Sequence, residues 1–187
     1  MPLRPQLQAV LERANDQRKK ADGAVRRLKP NQLTWTPGRG LWTVAQVLDH
    51  LNKSVELTAP KFEEALRGAE AAGDERDTTL KYRFIDKVFI SMVGPNSPVK
   101  IPVPPIFEPE ASPNPQKIVR RFFELHDSFA ALIQRADGFR LKELRVSSPV
   151  TTKLRPGFIS YMDGFVAHEA YHLGQIYALI ADPDFPK

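Results

Sequence analysis

The stretch His168-Glu169-Ala170-Tyr171-His172-Leu173-Gly174-Gln175-Ile176 holds two of the chain's four histidines one helical turn apart, in a segment that reads as helix throughout. In an α-helix a spacing of four residues offsets side chains by about 40° around the axis. Both rings can therefore point at one metal ion as neutral nitrogen ligands. A third ligand must come from elsewhere, and the remaining histidines, His50 and His126, also lie in segments with helical periodicity. Histidines at this spacing also occur as hydrogen-bonded core or surface residues, so the helical wheel matters. At about 100° per residue, Phe165, His172, Ile176, Leu179 and Ile180 cluster on one face, with His168 and Gln175 at its edge and Glu169 near its middle. A carboxylate in an apolar stripe needs a partner. A metal with its histidine ligands would supply one, and so would a Lys or Arg on a neighbouring helix.

Upstream, apolar residues at Leu7, Val10, Leu11, Ala14, Ala21, Val25 and Leu28 predict a first helix over about 4–28, ended by Lys29-Pro30-Asn31. A polar loop with Trp35, Pro37, Gly38 and Gly40 leads to Trp42. Thr43-Val44-Ala45-Gln46 has the form of a capping box, and Trp42 and Val47 sit where a hydrophobic staple would. The second helix therefore starts at Thr43. Val44, Val47, Leu48, Leu51, Val55, Phe62 and Leu66 form its buried stripe, His50 lies at the stripe's edge, and Pro60 should kink or interrupt it. A third helix spans about 115–136, with His126 on its apolar face, and the last spans about 159–181. Between the second and third helices, 73–115 holds a short helical stretch over Leu80 to Val93 and then eight prolines from Pro95 to Pro115. A stiff crossover between two helices running the same way explains that segment better than a ligand for a partner domain. The fold class is all-α, a four-helix bundle with a long proline-rich crossover.

With 187 residues the chain fits a single domain over 1–187. It has no cysteine, which excludes disulfides, thiolate ligands and a cysteine nucleophile. A metal site must use His, Asp, Glu and water, which favours zinc, nickel, manganese or iron. The N-terminus has no apolar run of signal-peptide length, and no stretch reads as a membrane span. The expectation is a soluble, cytoplasmic protein with no membrane partner. The net charge is +5, but Arg18, Lys19, Lys20, Arg26 and Arg27 mostly decorate one helix. No aromatic interleaving or nucleic-acid motif accompanies them, so they read as a solvated face without a nucleic-acid partner.

Four helices, the long connection, Trp35-x-Pro37, Trp42-Thr43-Val44-x-x-Val47-Leu48-x-His50-Leu51 and His168 to Ile176 together resemble the DinB-like superfamily over essentially the whole chain. The resemblance implies that His50, His168 and His172 bind one divalent metal, zinc or nickel before others, at one end of the bundle. It also implies thiol-dependent S-transferase or isomerase chemistry on a small-molecule substrate, with a low-molecular-weight thiol, and is compatible with a homodimer. Three neutral imidazoles leave a metal an open position at which a bound thiol or water becomes a nucleophile at neutral pH. Glu169 would act there as catalytic general base or as orienter of a ligand imidazole. Two features depart from the family's pattern, His126 and the length of the 95–115 segment.

Other classes start from the same letters. His168-Glu169-x-x-His172 formally matches the zinc-protease motif, but no histidine or glutamate follows His172 to complete that site. A metal-dependent hydrolase using metal-bound water and a non-catalytic metal or ligand-binding module remain as alternatives.

Overall fold

Local chemistry starts the long helices. A computed structural model describes residues 2–38, 40–72, 80–97, 102–151 and 153–187. Its helices are α1 (Pro5–Val25), α2 (Pro30–Leu33), α3 (Val44–Arg67), α4 (Phe84–Val93), α5 (Pro115–Ala136) and α6 (Phe158–Ile180), with a 3-10 turn at Pro105–Phe107. Pro5 and Pro115 occupy first-turn positions, where the missing N–H has no intrahelical role. Thr43 Oγ1 accepts from Gln46 N at 3.1 Å while Gln46 Oε1 accepts from Thr43 N at 3.0 Å, the expected capping box. Asn114 caps α5 by accepting from Lys117 N. α6 has no side-chain cap of its own; the buried Asp86 of α4 instead accepts from Gly157 N at 3.1 Å.

α3 packs on α5 and α6, and α1 packs on the same two helices, so α1 stands diagonally from α3 and α5 from α6. α4 lies along α6, outside this square. One apolar cluster joins Leu7 and Val10 of α1, Phe62 and Leu66 of α3, Ile133 of α5 and Met162 of α6. The other joins Val25, Val44 and Leu48, Phe122, Leu173 and Ile176. These memberships make α3 and α5 parallel to each other and antiparallel to α1 and α6. α3 therefore ends, and α5 begins, at opposite ends of the bundle. Of the connection between them, expected as a crossover, residues 73–79 and 98–101 lie outside the described residues. The remainder is α4, the 3-10 turn and a stretch pinned to α3.

Several local expectations need correction. α3 is continuous through Pro60 rather than interrupted. Pro60 and Glu56 are both exposed, so the Glu56 carbonyl that loses its helical donor can turn to water. The polar loop expected after Lys29-Pro30-Asn31 opens with α2 instead, where Gln32 Oε1 accepts from Lys29 N. Further along, Gly38 and Gly40 take φ of 81° and 72°, a left-handed backbone that suits glycine. The buried surface of α6 is wider than one stripe, since Met162, Val166 and Leu173 are buried as well. The cause is that α6 has α1, α3 and α4 against it. Phe62, fully buried, meets Phe158 at 5.1 Å between ring centroids, and its truncation to Ala would cost about 3–5 kcal/mol.

Candidate metal centre

The capping box sets where α3 begins and hence where His50 lies, on its second turn and buried with Asp49 and Leu51. α6 brings His168 and His172 to it. The three rings meet with centroids 4.5 Å apart for His50 and His172, 5.3 Å for His50 and His168, and 4.4 Å for His168 and His172. One nitrogen from each lies within 4.8 Å of the other two. Trp42 covers the group, stacked on His172 at 18° between ring planes and 5.1 Å from the His50 centroid.

Each ring is held by its Nδ1. His50 Nδ1 donates to the Phe107 carbonyl at 2.8 Å, His168 Nδ1 to the Val93 carbonyl at 3.2 Å, and His172 Nδ1 to Gln175 Oε1 at 2.8 Å. Carbonyl oxygens only accept, so the proton of each neutral ring sits on Nδ1 and the lone pair on Nε2. Burial lowers the pKa of all three, against the opposing pull of those oxygens, and the like charge of neighbouring rings lowers two of them further. His168 is brought down to about 4 and His172 to about 2. All three are neutral near pH 7, the form that binds a metal.

This geometry tests whether a cation fits. His50 Nε2 and His168 Nε2 face each other at 3.1 Å with both protons committed to Nδ1, so two lone pairs point together with no hydrogen between them. A cation relieves that repulsion. Three neutral nitrogens with open positions remaining make a donor set suited to zinc or another borderline divalent ion.

The other candidates fall elsewhere. His126 is buried on α5, outside the histidine group, and approaches Glu169 with its Nε2 3.4 Å from Oε1. No hydrogen bond joins Glu169 to any of the three imidazoles, and its partner is neither a Lys nor an Arg. Gln175, Trp42 and the Phe107 and Val93 carbonyls have roles that the sequence reading does not assign. Gln175 carried the one available signal, a position three residues after His172 on the same helix. Asp49, Lys53 and Gln46 then fix the crossover to α3. Asp49 Oδ2 accepts from Glu110 N at 2.8 Å, Lys53 Nζ donates to the Glu108 carbonyl at 2.7 Å, and Gln46 Nε2 donates to the Glu110 and Ala111 carbonyls.

The fold and centre thus define a helical bundle with a three-histidine group between α3 and α6. Residues 13–176 match the family model of the DinB superfamily, and the chain belongs to that superfamily. No curated protein and no solved structure matches it. Among the described residues no helix is long and apolar enough to cross a membrane.

Proposed function

We propose that the chain binds one divalent metal through the Nε2 atoms of His50, His168 and His172 and transfers a low-molecular-weight thiol to a small electrophilic substrate. The observation that carries this reading is the approach of His50 Nε2 to His168 Nε2 at 3.1 Å, in rings whose Nδ1 atoms each face a backbone carbonyl. When bound, the metal supplies Lewis acidity, lowering the pKa of a thiol that enters its open position. Phe107, Val93 and Gln175 hold the rings in the ligand tautomer. Trp42 covers two of the rings.

A thiol suits this centre better than water for one reason. A free thiol ionises near pH 8.5 and needs only a modest push, whereas water has much further to go. Among the described residues no carboxylate is hydrogen-bonded to the three imidazoles, and Glu169 faces His126 instead. Glu169 then serves the centre by holding its helix, a role different from both the general base and the orienter of a ligand imidazole expected of it. Hydrolysis through water remains the second reading, favoured by the same open coordination.

Elemental analysis of untagged protein tests the metal, and a panel of thiols with electrophiles, alongside simple esters, tests the reaction. Thiol consumption that requires the metal is the expected result. One equivalent of metal with no turnover of thiols or esters would make the protein a binding module.

A further inference from the structure

A second polar cluster lies inside the bundle between α3, α5 and α6, lined by none of the three metal-centre imidazoles. Asn52, His126 and Glu169 are 2%, 4% and 5% exposed. Asn52 Oδ1, both ring nitrogens of His126 and Glu169 Oε1 have no hydrogen-bond partner in the protein. Asn52 Nδ2 donates to the Ile118 carbonyl at 3.1 Å, which fixes the amide with its oxygen free. His126 Nε2 and Glu169 Oε1 come within 3.4 Å but are not aligned as a hydrogen bond. The three side chains line a small cavity walled by Leu51, Phe122, Phe129 and Phe165, of which about 10 Å³ is open to the centre of a water molecule.

Polar atoms buried among aromatic rings are costly unless bonded. The open volume is room for about one water. A single water can donate to Asn52 Oδ1 and to Glu169 Oε1 while accepting from a ring N–H of His126. That makes three hydrogen bonds, a typical number for buried water. A divalent cation would meet the same atoms, but one carboxylate would leave net positive charge in an apolar shell, at a large desolvation cost.

We propose that Asn52, His126 and Glu169 hold one internal water, and that this water-centred knot positions the two ligand-bearing helices. Asn52 lies two residues after His50 on α3, and Glu169 one residue after His168 on α6. A slip of either helix that breaks the knot therefore also moves a ligand. The water site stands by itself, whereas its positioning effect rests on the three-histidine reading.

A high-resolution crystal structure of the wild-type protein, grown with zinc and with anomalous data, tests the first part. One peak bonded to Asn52 Oδ1, Glu169 Oε1 and a nitrogen of His126, without anomalous signal, is expected. Zinc titrations test the second part. Glu169→Gln should keep the peak and bind zinc within about threefold of wild type, whereas Glu169→Leu should lose the peak and bind about tenfold more weakly or worse. Asn52→Leu should repeat that loss should Glu169→Leu fail to fold. An empty cavity or an anomalous scatterer in it overturns the water site. Unchanged zinc affinity in a folded Leu variant overturns the positioning effect. A wild-type protein that binds neither zinc nor nickel at its histidines sinks the proposed function and the positioning effect together, while the density peak still decides the water.

Discussion

His50 Nε2 and His168 Nε2 stand 3.1 Å apart, each ring tied from behind to a backbone carbonyl of the crossover side, Phe107 for one and Val93 for the other. Two helices that are far apart in sequence are thereby held with their imidazole lone pairs converging. The arrangement makes sense energetically when a cation shares those lone pairs.

Removing any one ligand should therefore lower bound metal sharply. His50→Ala, His168→Ala and His172→Ala are each expected to weaken metal by more than about a hundredfold, since loss of a ligand costs more than loss of an outer hydrogen bond. Elemental analysis after gel filtration measures this. Full occupancy in His50→Ala together with loss in His126→Ala would move the third ligand to α5.

Gln175 is partly exposed and bonds His172 Nδ1 at 2.8 Å. Gln175→Leu leaves the ring free to turn and to change tautomer. Metal affinity should fall about 10–100-fold with little change in thermal stability. Calorimetric titration beside a melting curve separates the two effects, and a drop in melting temperature alone counts against the orienting role.

Gly164 of α6 lets α4 come close. A Cβ there would sit 2.5 Å from Phe89 Cε1 and 3.0 Å from Cδ1, and that ring is itself packed on Tyr161 at 5.3 Å. Overpacking of this kind costs about 1–3 kcal/mol, against a gain of up to about 1 kcal/mol from replacing glycine in a helix. Gly164→Ala should lower stability in urea unfolding. It should also weaken metal, because Val93 at the end of α4 bonds His168. Unchanged metal affinity would mean that α4 shifts without carrying Val93.

The pH dependence of the metal-free protein follows from the buried rings. His168 and His172 have folded pKa values of about 4 and about 2, below the ordinary 6.5. Between those limits the unfolded chain binds more protons than the folded one, so stability is full above pH 6.5 and is lost as pH falls. From pH 6.5 to 5 the loss should be on the order of 2 kcal/mol per ring. Denaturant midpoints across this range check the sign. Asp86, which burial pushes up but hydrogen bonds from Arg83 and Gly157 hold down to about 2, acts only at lower pH. A flat profile from 7 to 5 would show that these rings are solvated in the metal-free state.

Most of the bundle was legible because its signals are local. The Thr43 capping box and the periodic stripes of α1, α3 and α5 needed no knowledge of tertiary contacts. The four-residue spacing of His168 and His172 showed that they could share a metal ion, but His50 entered through family resemblance. What stayed hidden depends on who packs against whom. The carbonyls of Phe107 and Val93 have no side-chain signature, and they reach their rings across 57 and 75 residues of chain. Glu169 meets His126 across the diagonal of the bundle, a pairing that no helical wheel of α6 alone can display.

The fastening of residues 107–111 to α3 by His50, Lys53, Asp49 and Gln46 has a consequence for how such a centre diversifies. The segment touches His50 through the Phe107 carbonyl, which any residue type can supply, and through the Phe107 ring, edge-on at 6.4 Å between centroids, while the neighbouring Ile106 is exposed. Selectivity can then be rewritten in the crossover with the three histidines left as they are.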